Sequence, residues 1–182
     1  MTAQPRSENR RAVSFARAGV AGGGLLLVAV LVALPWSAPE AVRLALPLSV
    51  VALVHRVTWS APGRLPLWAV VVAGLAIDVV SHAPLGLWAL VNLTALGVSV
   101  AIRPAHPVGY LGRLLGFVPV VVSAAGAEWA LASGYDAVLL DWRGQAAAAA
   151  LVLGLYGVLD PLATRMRVRA ARRRDLVLER GG

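Results

Sequence analysis

The sequence predicts an all-α integral membrane protein with six transmembrane helices and both termini cytoplasmic. Three observations carry this. Hydrophobic residues fill 59% of the 182 positions and charged residues only 14%, against roughly 45–50% and 25% in soluble domains. Apolar stretches recur along the chain between short polar connections. The 17 basic residues are all arginine, and they sort to one side once the spans are drawn.

The first 17 residues hold Arg6, Arg10, Arg11 and Arg17 against one acid, Glu8, and read as a basic cytoplasmic tail. Ala18 to Pro39 carries no charge, and 22 residues at ~1.5 Å each cross ~30 Å of hydrocarbon. This first span, 18–36, also resembles a secretory signal, with Ser37-Ala38 at the cleavage position. It is long for a signal core of ~7–15 residues, and further spans follow, so it is expected to stay. The second span, 41–57, is the weakest, with Pro47 inside it and His55-Arg56 near its end. The third covers 66–81 and the fourth 85–102, joined by the short Ser81-His82-Ala83-Pro84 turn. Arg103-Pro104-Ala105-His106-Pro107 stops the fourth, because two prolines and a charge do not continue a helix in lipid. The fifth spans 114–133, Tyr135 to Arg143 reads as a polar loop, and the sixth spans 145–163. The membrane domain is thus 18–164, followed by an Arg-rich cytoplasmic tail, 165–182. There is no internal repeat, and no connection is long enough for a soluble domain.

Arginine position decides the number of spans. With six, the cytoplasmic side collects 15 of the 17 arginines, leaving only Arg43 and Arg143 outside. Without the second span the split becomes 5 inside and 12 outside. Cytoplasmic loops favour Arg and Lys, so six spans fit. Trp36, Trp59, Trp68 and Trp142 then fall near helix ends, where an amphipathic ring suits the interface. The net charge of +8 is mostly a topology record, and no nucleic-acid partner is expected. The tail arginines Arg165, Arg167, Arg169, Arg172, Arg173 and Arg174 are candidates for contact with anionic lipid, or for docking a cytoplasmic partner.

The absence of cysteine excludes disulfides and thiolate chemistry. Ionisable groups inside spans are functional candidates by default. Asp78, near the outer end of the third span, has two open roles. It can be functional, or it can accept hydrogen bonds from the amides that start the fourth helix. Asp78, Asn92 and Glu128 lie at similar depth and could form one polar cluster, either a ligand site or interhelical bonding that fixes helix order. Asp160, one residue before Pro161, is expected to pair with Arg56 or Arg165 at the membrane edge. His55 and Arg56 read as snorkelling toward headgroups. His55, His82 and His106 lie at separate levels, which argues against a shared metal site. Gly74, Gly86, Gly97, Gly116, Gly126, Gly154, Gly157 and the Ala146–Ala150 run read as packing positions. No nucleophile elbow, paired-His zinc motif or phosphate loop appears. A pairing of His82 with Asp78 would be the minimal enzymatic arrangement; no catalysis and no cofactor are expected.

From Leu46 to Ile102 the chain resembles the rod shape-determining protein MreD family. The likeness lies in His55-Arg56-Val57, in Gly74-Leu75-Ala76-Ile77-Asp78-Val79-Val80-Ser81 and in Pro84-Leu85-Gly86-Leu87-Trp88-Ala89-Leu90. In that family a G-x-x-x-D segment ending one helix is followed by P-L-G opening the next. One departure stands at Asp160-Pro161, where the family often has Tyr-Pro. The resemblance implies a scaffold in the inner membrane of a bacterium. Such a scaffold works in the cell-elongation complex, organising peptidoglycan synthesis through an MreC-like protein and, indirectly, MreB and RodA-type synthases. It makes Gly74, Asp78, Pro84 and Gly86 structural or partner candidates. It also implies a compact six-helix bundle like the membrane substrate-binding subunits of energy-coupling-factor transporters. From that relation comes the alternative function, a small-molecule-binding transporter subunit built around the Asp78/Asn92/Glu128 cluster.

Overall fold

The computed structural model describes residues 23–29, 39–63, 65–105 and 109–180, with the side chains of 40, 41 and 167–180 outside that description. Helix α1 covers 23–29, inside the expected first span. The rest of that span, the head before it, the Ser37-Ala38 position and His106 lie outside the described residues. There follow α2 (Glu40–Ser60), α3 (Leu67–Ser81), α4 (Leu87–Ile102), a 3-10 turn (Arg103–Ala105), α5 (Tyr110–Asp136) and α6 (Trp142–Arg180). Among the described residues there is no strand.

Four helical stretches are long and apolar enough to cross a membrane: Val42–Ser60, Leu87–Ala105, Tyr110–Asp136 and Trp142–Met166. This is the pattern of a multi-pass helical membrane protein. Large apolar side chains on the outside, such as Leu67, Val79, Val122 and Val158, suit a lipid surround. Helix α2 packs against α4, α5 and α6, and α3 packs against α4. The α2 face that makes those contacts carries the buried Leu48, Val51, Val54 and His55, at the three- and four-residue spacing of one helix stripe.

Several helix boundaries differ from the expected ones. Tyr135, Asp136, Trp142 and Arg143 are helical, so the loop between α5 and α6 shrinks to 137–141. Backbone geometry ends α5, not side-chain polarity. Ala137 adopts the left-handed conformation (φ 52°), and the Ser133 carbonyl accepts from the amides of Ala137 and Val138. The loop is then tied back, with the Leu140 amide donating to Ser133 Oγ and Trp129 Nε1 donating to the Leu140 carbonyl. At the other end, α6 does not stop near Ala163 but runs on to Arg180. The tail from 165 is therefore a helical extension rather than a separate segment. Its residues favour helix, and no glycine interrupts them before Gly181.

Two glycines do the packing expected of seven. A Cβ on Gly74 would fall 2.5 Å from the Ala89 amide nitrogen and 2.7 Å from the Trp88 carbonyl carbon, so α3 and α4 touch backbone to backbone there. A Cβ on Gly116 would strike the Trp59 ring at 2.6 Å. Trp59, in the last turn of α2, is thus packed over α5. Gly97, Gly126 and Gly154 have open space around them. Gly86 is needed for its backbone (φ 95°), not for close approach.

The Gly74 contact is testable. Gly74→Val is expected to cost about 1–3 kcal/mol through overpacking against main chain that cannot yield. Thermal unfolding in detergent should show a lowered midpoint and reduced folded yield. Gly97→Ala, placed in open space on the neighbouring helix, should leave the midpoint unchanged or slightly raised.

Candidate functional site

Polar side chains inside the bundle gather at two ends. The first group is the corner between α3 and α4. Helix α3 ends when His82 turns left-handed (φ 55°) and the Asp78 carbonyl takes the amides of His82 and Ala83. The chain then turns through Pro84, whose carbonyl accepts from the Leu87 amide, and enters α4 at Gly86. Gly86 has no side chain with which to cap α4. The Asp78 carboxylate supplies the cap from the preceding helix. Oδ2 accepts from the Gly86 amide and Oδ1 from the Trp88 amide, both at 2.8 Å. Asp78 is 1% exposed, and its charge sits at the positive end of α4. Gly74, Asp78, Pro84 and Gly86, the four residues of the motif, thus build one joint. His82 is exposed beside it, while both Asp78 oxygens face backbone amides. The two do not form an acid–base pair.

The second group lies at the opposite end, where α2, α5 and α6 meet. Asp160, on α6, is 1% exposed. Its Oδ1 pairs with Arg56 Nη1 of α2. Its Oδ2 accepts from Arg113 Nε at 3.0 Å and Nη2 at 2.9 Å. Of the two expected partners Arg56 is present and Arg165 is not; Arg165 is exposed one helical turn further on. Arg113 takes the second place because α5 begins at Tyr110, which lifts Arg113 out of the expected loop and into the first turn of the helix.

His55 does not snorkel. It is fully buried, and Nε2 lies 3.2 Å from the Arg113 carbonyl oxygen, so Nε2 carries the proton and donates. Nδ1 lies 3.0 Å from Ser99 Oγ on α4. The ring sits among Trp59, Phe117 and Tyr156, with centroids 5.1, 5.3 and 5.8 Å away. Pro161 adds a further tie. It has no amide to give to the carbonyl four residues back, and the Tyr110 hydroxyl donates to that carbonyl, Gly157 O, at 2.7 Å.

The structure does not join Asp78, Asn92 and Glu128 by hydrogen bonds. Asp78 is committed to α4. Asn92 is fully buried, yet neither its amide oxygen nor its nitrogen is hydrogen-bonded, and Glu128 Oε2 is likewise unmet. A groove of about 400 Å³ opens between α5 and α6, lined by residues such as Val121, Gly126, Trp129, Gln145, Ala146 and Ala149. None of the three polar residues lines it. Among the described residues, no group of three His, Asp or Glu side chains is placed to hold a metal ion.

No protein-family model, no curated protein and no solved structure matches the chain.

Asp78→Ala should lower stability by roughly 1–3 kcal/mol, because two buried amides lose a charged acceptor. Asp78→Asn, which keeps one carbonyl acceptor, should fall between. An unchanged melting midpoint with lost activity would instead assign Asp78 to direct contact with a partner or ligand. Asp160→Ala should cost more, about 3–5 kcal/mol, since it leaves two largely buried guanidiniums unpaired. Combining Asp160→Ala with Arg56→Gln and Arg113→Gln should recover part of that loss in the same thermal measurement.

Proposed function

We propose that this protein is a non-catalytic, MreD-like membrane scaffold of the bacterial cell-elongation complex. In this reading it lies in the cytoplasmic membrane with six spans and both termini inside. It organises peptidoglycan synthesis through an MreC-like protein and, indirectly, MreB and RodA-type synthases. The α3–α4 corner is the observation that carries this. The residues of the family-like motif are spent on construction: Gly74 admits the neighbouring backbone, Asp78 caps it and Gly86 makes the turn. A motif built into a rigid joint suits a protein whose task is to hold a shape for others. A reactive site would instead keep its carboxylate available to a substrate.

The positive-inside rule supports the orientation. The end that carries Arg56, Arg113 and the α6 extension is the basic end, and basic ends face the cytoplasm. A transporter-type binding subunit is the second reading, favoured by the unmet amide of Asn92 and carboxylate oxygen of Glu128. Against it stands the commitment of Asp78 to backbone amides, which removes one member of the ligand site that reading needs.

Co-purification tests the scaffold reading. A tagged full-length chain, extracted from its native membrane in mild detergent, is expected to bring down a protein with one transmembrane span and a large domain outside the cytoplasm. Recovery of the folded chain without such a partner would overturn the proposal. Recovery with a bound small molecule and a nucleotide-hydrolysing module would favour the transporter reading.

A further inference from the structure

The joint of α2, α5 and α6 has a charge imbalance. Two guanidiniums share one carboxylate, and both oxygens of that carboxylate are already taken. Among the described residues no other acid pairs with Arg56 or Arg113. One positive charge is left over. It is held in side chains only 13% and 18% exposed, and an uncancelled charge withdrawn from water is costly.

The geometry leaves donors for a counter-anion. A guanidinium has five N–H groups in a planar fork. Asp160 engages Nη1 of Arg56, and Nε and Nη2 of Arg113. Nε and Nη2 of Arg56 and Nη1 of Arg113 are not used by it. Helix α5 starts beside them at Gly109, which makes no side-chain cap, so the leading amides of α5 add partial positive charge. The depth also fits. Arg56 is four residues from the end of α2, about 6 Å along the axis, and Asp160 lies six residues before the end of the apolar stretch at Met166. That is the boundary between hydrocarbon and headgroups, where phosphate groups of the bilayer lie and where arginine stems reach outward.

We propose that the Arg56–Asp160–Arg113 joint binds the phosphate of an anionic phospholipid, which cancels the surplus charge and completes the junction of α2, α5 and α6. The site is distinct from the arginines of the α6 extension and does not depend on the scaffold reading. A phospholipid is favoured over a soluble phosphate because Arg56, Arg113 and Asp160 all lie within apolar stretches, Val42–Ser60, Tyr110–Asp136 and Trp142–Met166, where lipid rather than water surrounds a helical bundle.

Native mass spectrometry of the full chain in detergent, with phosphatidylglycerol and phosphatidylcholine supplied in competition, tests this. The unmodified chain should retain phosphatidylglycerol preferentially. Arg56→Gln, which leaves a neutral Arg113–Asp160 pair, should reduce that preference about tenfold, the loss expected for a hydrogen-bonded charged contact. Arg56→Lys guards against misfolding of the first variant, because it keeps the positive charge and should retain most of the preference. Arg143→Gln, at the opposite end, should leave the preference unchanged. Retention by Arg56→Gln equal to that of the unmodified chain would overturn the proposal and assign lipid preference to the tail, as would a loss in Arg56→Lys equal to that in Arg56→Gln. If glycerol phosphate or inorganic phosphate raised the melting midpoint as much as phosphatidylglycerol, the lipid would be the wrong source.

Discussion

A single carboxylate holds the bundle together at its basic end. Asp160 is nearly inaccessible to solvent, and a buried carboxylate in an apolar bundle persists only with charged partners. Its two oxygens reach in two directions, to Arg56 on α2 and to Arg113 on α5. That requirement fixes three helices at one depth and one rotation. His55, the residue before Arg56, then meets the Arg113 carbonyl and Ser99, which brings α4 into the same layer. The aromatic packing of Trp59, Phe117 and Tyr156 around His55 follows from that placement. Among helices α2 to α6, only α3 is outside this belt, and it packs against α4.

The two polar ends solve the same problem by different means. In a medium without water, backbone groups that a helix leaves open must be met from within the protein. At the α3–α4 corner the open groups are donors, and an acid meets them. At Gly157 the open group is an acceptor, created by Pro161, and a phenol meets it. The departure from the family-like Tyr-Pro pair therefore has a local logic. Asp160 brings the charge that orders α2 and α5, while the tyrosine that serves the proline comes from α5.

Much of this was legible in the sequence because it is local. Asp78 stands eight and ten residues from the amides it caps, with one tight turn between, so composition and spacing sufficed to suggest the cap. Arg56 was legible as a partner for Asp160 because the arginine count put both at one end. Arg113 was not, because a charge beside an apolar run reads as loop. Its charge is tolerated in the helix only because Asp160, 47 positions away, cancels it. His55 was misjudged for a related reason: hydropathy assigns a depth but not a rotation about the helix axis, and rotation decides between lipid and interior. The same limit applies to Asn92 and Glu128. Similar depth placed them together, but both Asp78 oxygens are taken by the amides of Gly86 and Trp88.

The α3–α4 corner also bears on how the chain enters a bilayer. Helix α3 has 15 residues, about 22 Å of length, well short of the ~30 Å of hydrocarbon that a lone helix must cross. Its last turn carries a carboxylate that would be costly to insert alone. Paired with α4, the acid arrives already bonded, and the backbone contact at Gly74 leaves no gap for lipid between the two. The unit that partitions into the membrane is then the hairpin rather than the helix. Entry as a hairpin would require the corner to form before the rest of the bundle assembles around it.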